Sequence, residues 1–191
     1  MKKAFITLLF TKILFSQETI QLDRPDQTET VFVVPRNYLQ LESGFMYEKT
    51  NETDKHLHLP TILWKFGLND KVELRVITEF SKTITNSENI YQLQPISLGF
   101  KTALIEEKGI IPKISFIGKA ELRKSEILQR KTITPAFRFT FQNDINDKTS
   151  LGYNLGMFWN ENLQETYLYS FALGKPITPQ LNYFVEMYGF I

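Results

Sequence analysis

The chain has 191 residues, with 22 Lys and Arg against 21 Asp and Glu, and no Cys. That length suits one domain with a substantial buried surface. Balanced charge argues against a nucleic-acid partner, which calls for a basic excess, and without Cys the chain has neither disulfide staples nor thiolate catalysis. The 16 Phe and 8 Tyr favour strands over helices.

The chain opens as a secretory signal. Lys2 and Lys3 supply the positive end, Ala4 to Phe10 and Ile13 to Phe15 the apolar stretch, and Ser16-Gln17 the cleavage junction. The competing reading is a membrane anchor, but this stretch, interrupted by Lys12, is shorter than the roughly 20 residues a spanning helix needs. No later stretch is apolar enough for such a helix, so insertion into a membrane would be by strands. The expected division is a signal peptide over 1–16, a periplasmic lead-in or plug segment over 17–37 and a β-barrel domain over 38–191. The 17–37 segment is polar and holds Pro25 and Pro35, which argues against a spanning strand. Two readings stay open for it: a small plug folded into the barrel mouth, or a solvated lead-in.

From residue 38 the pattern alternates with period two. Leu39, Leu41, Phe45 and Tyr47 are separated by Gln40, Glu42 and Glu48, and Ile62, Trp64, Phe66 and Leu68 alternate with Thr61, Lys65 and Gly67. Val72, Leu74, Val76 and Phe80 alternate with Glu73, Arg75 and Glu79, then Ile96, Leu98, Phe100 and Leu104 with Ser97, Gly99 and Lys101. Ile114 and Phe116 oppose Lys113, Ser115, Lys119 and Glu121, and Phe137, Phe139 and Phe141 oppose Arg138, Thr140 and Gln142. Leu151, Tyr153, Leu155, Met157 and Trp159 oppose Gly152, Asn154 and Gly156, whose small size would leave space in a lumen. Tyr167, Tyr169, Phe171 and Leu173 oppose Thr166, Ser170 and Ala172, and Leu181, Tyr183, Val185 and Met187 oppose Asn182, Glu186 and Tyr188. Each strand thus has one wet and one apolar face. Nine such strands of roughly 9–11 residues match what a tilted strand needs to cross a bilayer.

The connections alternate too. Asn69 to Lys71, Glu106 to Gly109, Asn143 to Lys148 and Pro176 to Gln180 are tight turns. Lys49 to Leu57, Lys82 to Gln92 and Arg123 to Ile133 are longer and polar, with Asn160 to Gln164 the short exception. Turns on one side and loops on the other is the asymmetry of outer-membrane barrels. Tyr47, Phe80, Trp159 and Tyr167 fall at loop ends, and Phe66, Phe141 and Tyr183 near turn ends, as two aromatic girdles around an aliphatic band would require. The competing reading has these rings filling a soluble β core. Nine strands is odd, whereas single-chain bacterial barrels have an even number. The pattern therefore predicts a barrel incomplete at its C-terminus by one or three strands.

The wet faces carry a balanced charge set. Glu42, Glu48, Glu73, Glu79, Glu121 and Glu186 face Lys65, Arg75, Lys101, Lys113, Lys119 and Arg138. A selective pore uses rings of one sign, and balanced charges in a narrow barrel pair across strands. Of these, Lys65, Glu73, Arg75, Glu79, Lys101, Lys113, Lys119, Arg138 and Glu186 are the candidate lumen lining. His56 and His58 could share a metal ion by spacing, but no carboxylate or thiol cluster adjoins them, so a surface pair is expected and no metal. Ser43, Ser81 and Ser97 sit in no nucleophile motif, and phosphate loops are absent.

The run Asp23-Arg24-Pro25-Asp26-Gln27-Thr28-Glu29, followed by Val34-Pro35, resembles the opening of a bacterial envelope family usually called "transporter" and also described by the meta-pathway of phenol degradation. Leu59-Pro60-Thr61, Lys65-Phe66-Gly67-Leu68, Glu73-Leu74-Arg75, Leu98-Gly99-Phe100-Lys101, Ser150 to Gly156 and Glu186-Met187-Tyr188-Gly189-Phe190 extend the resemblance over nearly all of the mature chain. Arg24, Pro25, Asp26, Gln27, Thr28 and Glu29 are its most distinctive piece. The start of the chain, through Phe15-Ser16-Gln17-Glu18, resembles signal peptides of Bacteroidota. The resemblance implies an all-β, antiparallel up-and-down transmembrane barrel in the bacterial outer membrane. The expected function is passage or binding of a small solute, with outer-membrane lipid as the surroundings and neither cofactor nor catalysis. The alternatives are a structural or adhesion barrel closed by its own ion pairs, and a membrane-embedded lipid-modifying enzyme.

Overall fold

The structure, a computed structural model, describes residues 21–23, 27–49, 55–85, 88–125, 129–146, 148–178 and 181–191. The expected signal peptide and the Arg24-Pro25-Asp26 part of the motif lie outside the described residues. The strands are β1 (Leu39–Lys49), β2 (Lys55–Asn69), β3 (Val72–Ile84), β4 (Asn89–Leu93), β5 (Ser97–Ile105), β6 (Lys113–Ser125), β7 (Arg130–Asn146), β8 (Thr149–Trp159), β9 (Glu165–Thr178) and β10 (Leu181–Phe190). They form one antiparallel sheet in the order β1-β2-β3-β5-β6-β7-β8-β9-β10, with β4 attached to β3 alone.

The nine expected strands are the nine of this path, but they run longer than the apolar residues marked. β7 has 17 residues and β2 has 15. The expected loop over Lys82 to Gln92 is instead the top of β3 paired with β4, from Phe80↔Leu93 to Ile84↔Asn89. Polar stretches such as Lys82-Thr83 keep pairing because a ladder needs only backbone groups, and water on both faces does not penalise it. Turn chemistry closes the other end. The Asn69 side chain accepts the Lys71 N–H at 2.8 Å and the Asn146 side chain that of Lys148 at 3.0 Å, each asparagine shaping its own turn. Pro60 falls in the irregularity between His58 and Thr61, and Pro135 lies beyond the last β7–β8 pair, so neither interrupts a ladder that needs its missing N–H.

The two faces of the sheet are inverted relative to a soluble protein. Buried side chains are mainly polar: Asp23, Glu42, Lys65, Glu73, Arg75, Lys101, Ser115, Thr140, Asn154 and Ser170 are all at most 5% exposed. Large apolar side chains stand outward, among them Leu41, Leu74, Phe100, Phe139, Leu155, Phe171, Val185 and Met187. Tyr47, Phe66, Phe80, Tyr167 and Tyr183 are exposed at the strand ends where girdles were expected. The band between is not purely aliphatic. Rings run across its middle from Phe100 to Phe116 (5.9 Å), Phe139 (5.1 Å), Phe141 (6.5 Å), Tyr153 (5.0 Å) and Phe171 (6.2 Å).

The sheet curls into a half-barrel around one short piece of chain. Residues 21–23 and 27–34 lie on the concave face, and the same segment reaches Glu42 on β1 and Glu186 on β10, at opposite ends of the sheet.

Candidate functional site

The inner segment enters at the turn side. Asn37 takes a left-handed backbone (φ 65°), which asparagine tolerates, and its N–H donates to the Gly67 carbonyl at 2.8 Å. Gly67 in turn donates to the Tyr38 carbonyl at 3.0 Å. A Cβ at Gly67 would collide with the carbonyls of Pro35 and Val34, so the chain can cross β2 only because this residue has no side chain. Beyond it, the Val34 N–H donates to Glu73 Oε2 at 2.7 Å and the Ser115 hydroxyl donates to the Val31 carbonyl. Val31 and Val34 are among the few buried apolar side chains of the described residues.

Asp23 is the centre of the ionic cluster. Its carboxylate meets Lys65 of β2 at 3.0 Å, Lys101 of β5 at 3.0 Å and Arg75 of β3 at 3.3 Å. The same carboxylate accepts the Thr30 N–H and hydroxyl at 2.9 and 2.8 Å, closing the segment on itself. Lys65 also touches Glu42 at 2.5 Å, and Arg75 holds Glu29 at 2.7 Å. Burial alone would raise the Asp23 carboxyl; Lys101, Arg75 and Lys65 outweigh it and hold the group far below the usual carboxylate range. Glu29 is lowered too, burial again opposing and Arg75 providing the largest favourable charge.

The other end of the segment is held by hydrogen bonds. Thr28 donates its N–H to Glu186 Oε1 at 2.6 Å, and its hydroxyl lies 2.9 Å from that of Ser170. Gln27 also donates its N–H to Glu186, at 2.9 Å. The Asn154 amide imitates a strand partner, accepting the Glu29 N–H at 2.7 Å and donating to the Glu29 carbonyl at 3.0 Å. Arg138 donates to the Gln27 carbonyl at 2.6 Å. Gly152 does not open onto empty space: the Thr28 methyl lies 3.5 Å from where an added Cβ would stand, in ordinary contact. Gly156 is pressed against the backbone of β7.

The candidate lining residues therefore fall into groups. Lys65, Glu73, Arg75 and Lys101 surround Asp23 and the 31–34 stretch, while Arg138 and Glu186 hold 27–29. Glu79 accepts from His58 and Thr61 at 2.6 and 2.9 Å, and His56 meets Thr83 at 3.2 Å, so each histidine has its own β3 partner. Lys113 pairs with exposed Glu106 at 2.9 Å and lies 4.8 Å from the centre of the Phe32 ring. Lys119 has no hydrogen bond or ion pair among the described residues. Of the motif, Gln27, Thr28 and Glu29 contact the strands directly. Counting charges on strands alone misses Asp23, and with it Ser115, Asn154 and Ser170. The usable signal was a non-periodic segment carrying Asp23 and Glu29 beside faces rich in Lys and Arg.

Between the 27–29 stretch and the loop end of β6 to β10 lies a cavity of about 340 Å³. Its floor includes Gln27, Glu29 and Arg138, and Ile117, Leu168, Phe158 and Phe190 supply apolar wall. Phe158 and Phe190 meet edge to face at 6.2 Å. Lys119, Glu121 and Arg123 line the β6 side, and Arg123 grips Glu121 at 2.7 Å.

A family model described as "Putative MetA-pathway of phenol degradation" matches residues 22–191. No curated protein and no solved structure matches the chain.

Proposed function

The chain belongs to that family, and from this premise we propose that it is a bacterial outer-membrane β-barrel that admits a small solute from the loop side, without catalysis. The outward apolar face, from Leu41 to Met187, is the observation that carries the membrane placement. Such an area is costly to expose to water, and a half-barrel with polar residues inside and apolar residues outside fits lipid. Export by the 1–16 signal belongs to the same reading.

Solute entry rests on the cavity above the inner segment. Below it the segment fills the concave face, so passage requires that segment to yield. The buried ion pairs around Asp23 favour a second reading, a structural barrel held shut by its own charges. Fractionation of the envelope tests the placement. Liposome swelling with the wild type and with Asp23→Ala tests transport. Faster solute uptake in the variant supports a segment that gates passage, whereas no uptake by either form leaves the closed barrel.

A further inference from the structure

We propose that the cavity between residues 27–29 and the loop end is a binding site for a small organic anion with an apolar body, its carboxylate-type head taken by Lys119. The inference rests on the solute-binding reading above and names the class of solute. Lys119 points into the cavity from β6, exposed and without an ion partner among the described residues. The charges around it are already committed. Glu121 is held by Arg123 at 2.7 Å and Glu29 by Arg75 at 2.7 Å and by Arg138 at 3.9 Å, Arg138 being anchored as well on the Gln27 carbonyl. Glu161, on the connection between β8 and β9, also lines the cavity. The lining holds three acids and three cations, so what favours an anion is the Lys119 ammonium itself, unpaired among the described residues and standing beside Glu29 and Glu121 that arginines already hold.

The rest of the wall suits a hydrocarbon. The open apolar surface is chiefly that of Phe190, 53% exposed and edge to face with Phe158, while Ile117 and Leu168 are already buried at 4%. A polar metabolite would leave this wall wet, and a neutral hydrocarbon would leave Lys119 without a partner. An amphiphilic anion satisfies both, which is the usual design of a small-molecule site: apolar walls with a few placed polar groups.

Trp159 lines the cavity and reports on it once Trp64, the other tryptophan, is replaced by Phe. The folded chain in zwitterionic micelles would be titrated with hexanoate, hexanol and hexylammonium, following Trp159 fluorescence. Hexanoate should bind roughly tenfold or more tightly than hexanol, as expected for a hydrogen bond to a charged group, and hexylammonium most weakly. Lys119→Met should abolish the preference for hexanoate and Lys119→Arg should keep it. Equal binding of hexanoate and hexanol with Lys119 in place would overturn the proposal, as would an unchanged preference in a folded Lys119→Met. The series in the Trp64→Phe background needs no change at Lys119, so misfolding of Lys119→Met does not remove the test. Anion-selective binding without liposome uptake would defeat the transport reading and leave this site standing, and uptake without anion selectivity would do the reverse.

Discussion

Asp23 and Lys101 meet at 3.0 Å with 1% and 0% of their side chains exposed, one on the inner segment and the other on β5. Two charges removed this far from water are held by mutual attraction only if further partners complete the set, because desolvation offsets most of the gain. Lys65 and Arg75 complete it. Asp23 is the shared anion, so its loss strands several cations at once. Asp23→Ala should weaken docking of the segment by about 3–5 kcal/mol, the loss typical of breaking a buried pair. Lys101→Met should weaken it less, since Asp23 keeps Lys65 and Arg75. Limited proteolysis of the segment across a urea series, in micelles, measures both. Equal losses would mean that Asp23 is not the hub.

The same cluster sets a pH dependence. Asp23 and Glu29 are held below their ordinary values by neighbouring cations. A depressed carboxyl contributes stability that is fully present above its unfolded value and lost as pH falls through the folded one. The ordinary values lie near 4, so the segment should stay docked from about pH 7 down to about pH 5 and begin to release only below about pH 4. Proteolysis with an acid-tolerant protease across that range reads the release. Undocking between about pH 5 and pH 7 would contradict the depressed carboxyls.

The strands were legible because each has one polar and one apolar face, a pattern local to ten or so residues. The extension of β3 into a pair with β4 was not, because Lys82-Thr83-Ile84 pairs through its backbone with a single apolar residue and no sustained alternation. The inner segment was harder still. Asp23, Thr28 and Glu29 make contacts more than a hundred residues away or across several strands, and nothing periodic announces them. The six-against-six balance on the strands pointed to pairing between strands, whereas Lys65, Arg75 and Lys101 converge on an acid the strands do not supply. Thr140, placed on a wet face by the alternation, is 0% exposed and donates its hydroxyl to the Ser115 carbonyl at 3.5 Å.

That burial decides which positions separate lipid face from inner face. Phe139 is 37% exposed on the outer side, against Phe116 at 5.1 Å. Ala136, on the same strand, has the opposite parity and lines the cavity. Phe139→Arg should destabilise the vesicle-inserted protein by roughly 2–4 kcal/mol if the site is near the midplane. Ala136→Arg should have a smaller effect, because its side chain enters a polar cavity lined by Glu29 and Glu121, even with Lys119 opposite it on β6. Chemical unfolding from vesicles compares the two, and equal losses would indicate a soluble two-sided core.

The glycines offer a test that involves no charge. At Gly67 an added Cβ would overlap the backbone carbonyls of Pro35 and Val34, which no rotamer change can relieve. At Gly152 the nearest neighbour of an added Cβ is the Thr28 methyl at 3.5 Å, an ordinary contact. Gly67→Ala should therefore push the inner segment off β2, at about 1–3 kcal/mol, the range for overpacking. It should expose the chain near Asn37 to protease while the strands stay folded, because the Gly67 side chain position is occupied by the segment and not by a neighbouring strand. Gly152→Ala should be close to neutral, since it adds only the contact that the Thr28 methyl is already placed to make. Protease protection of the segment, compared with the circular dichroism of the sheet in both variants, distinguishes undocking from unfolding. Full protection in Gly67→Ala would mean that the segment does not cross the sheet at Gly67.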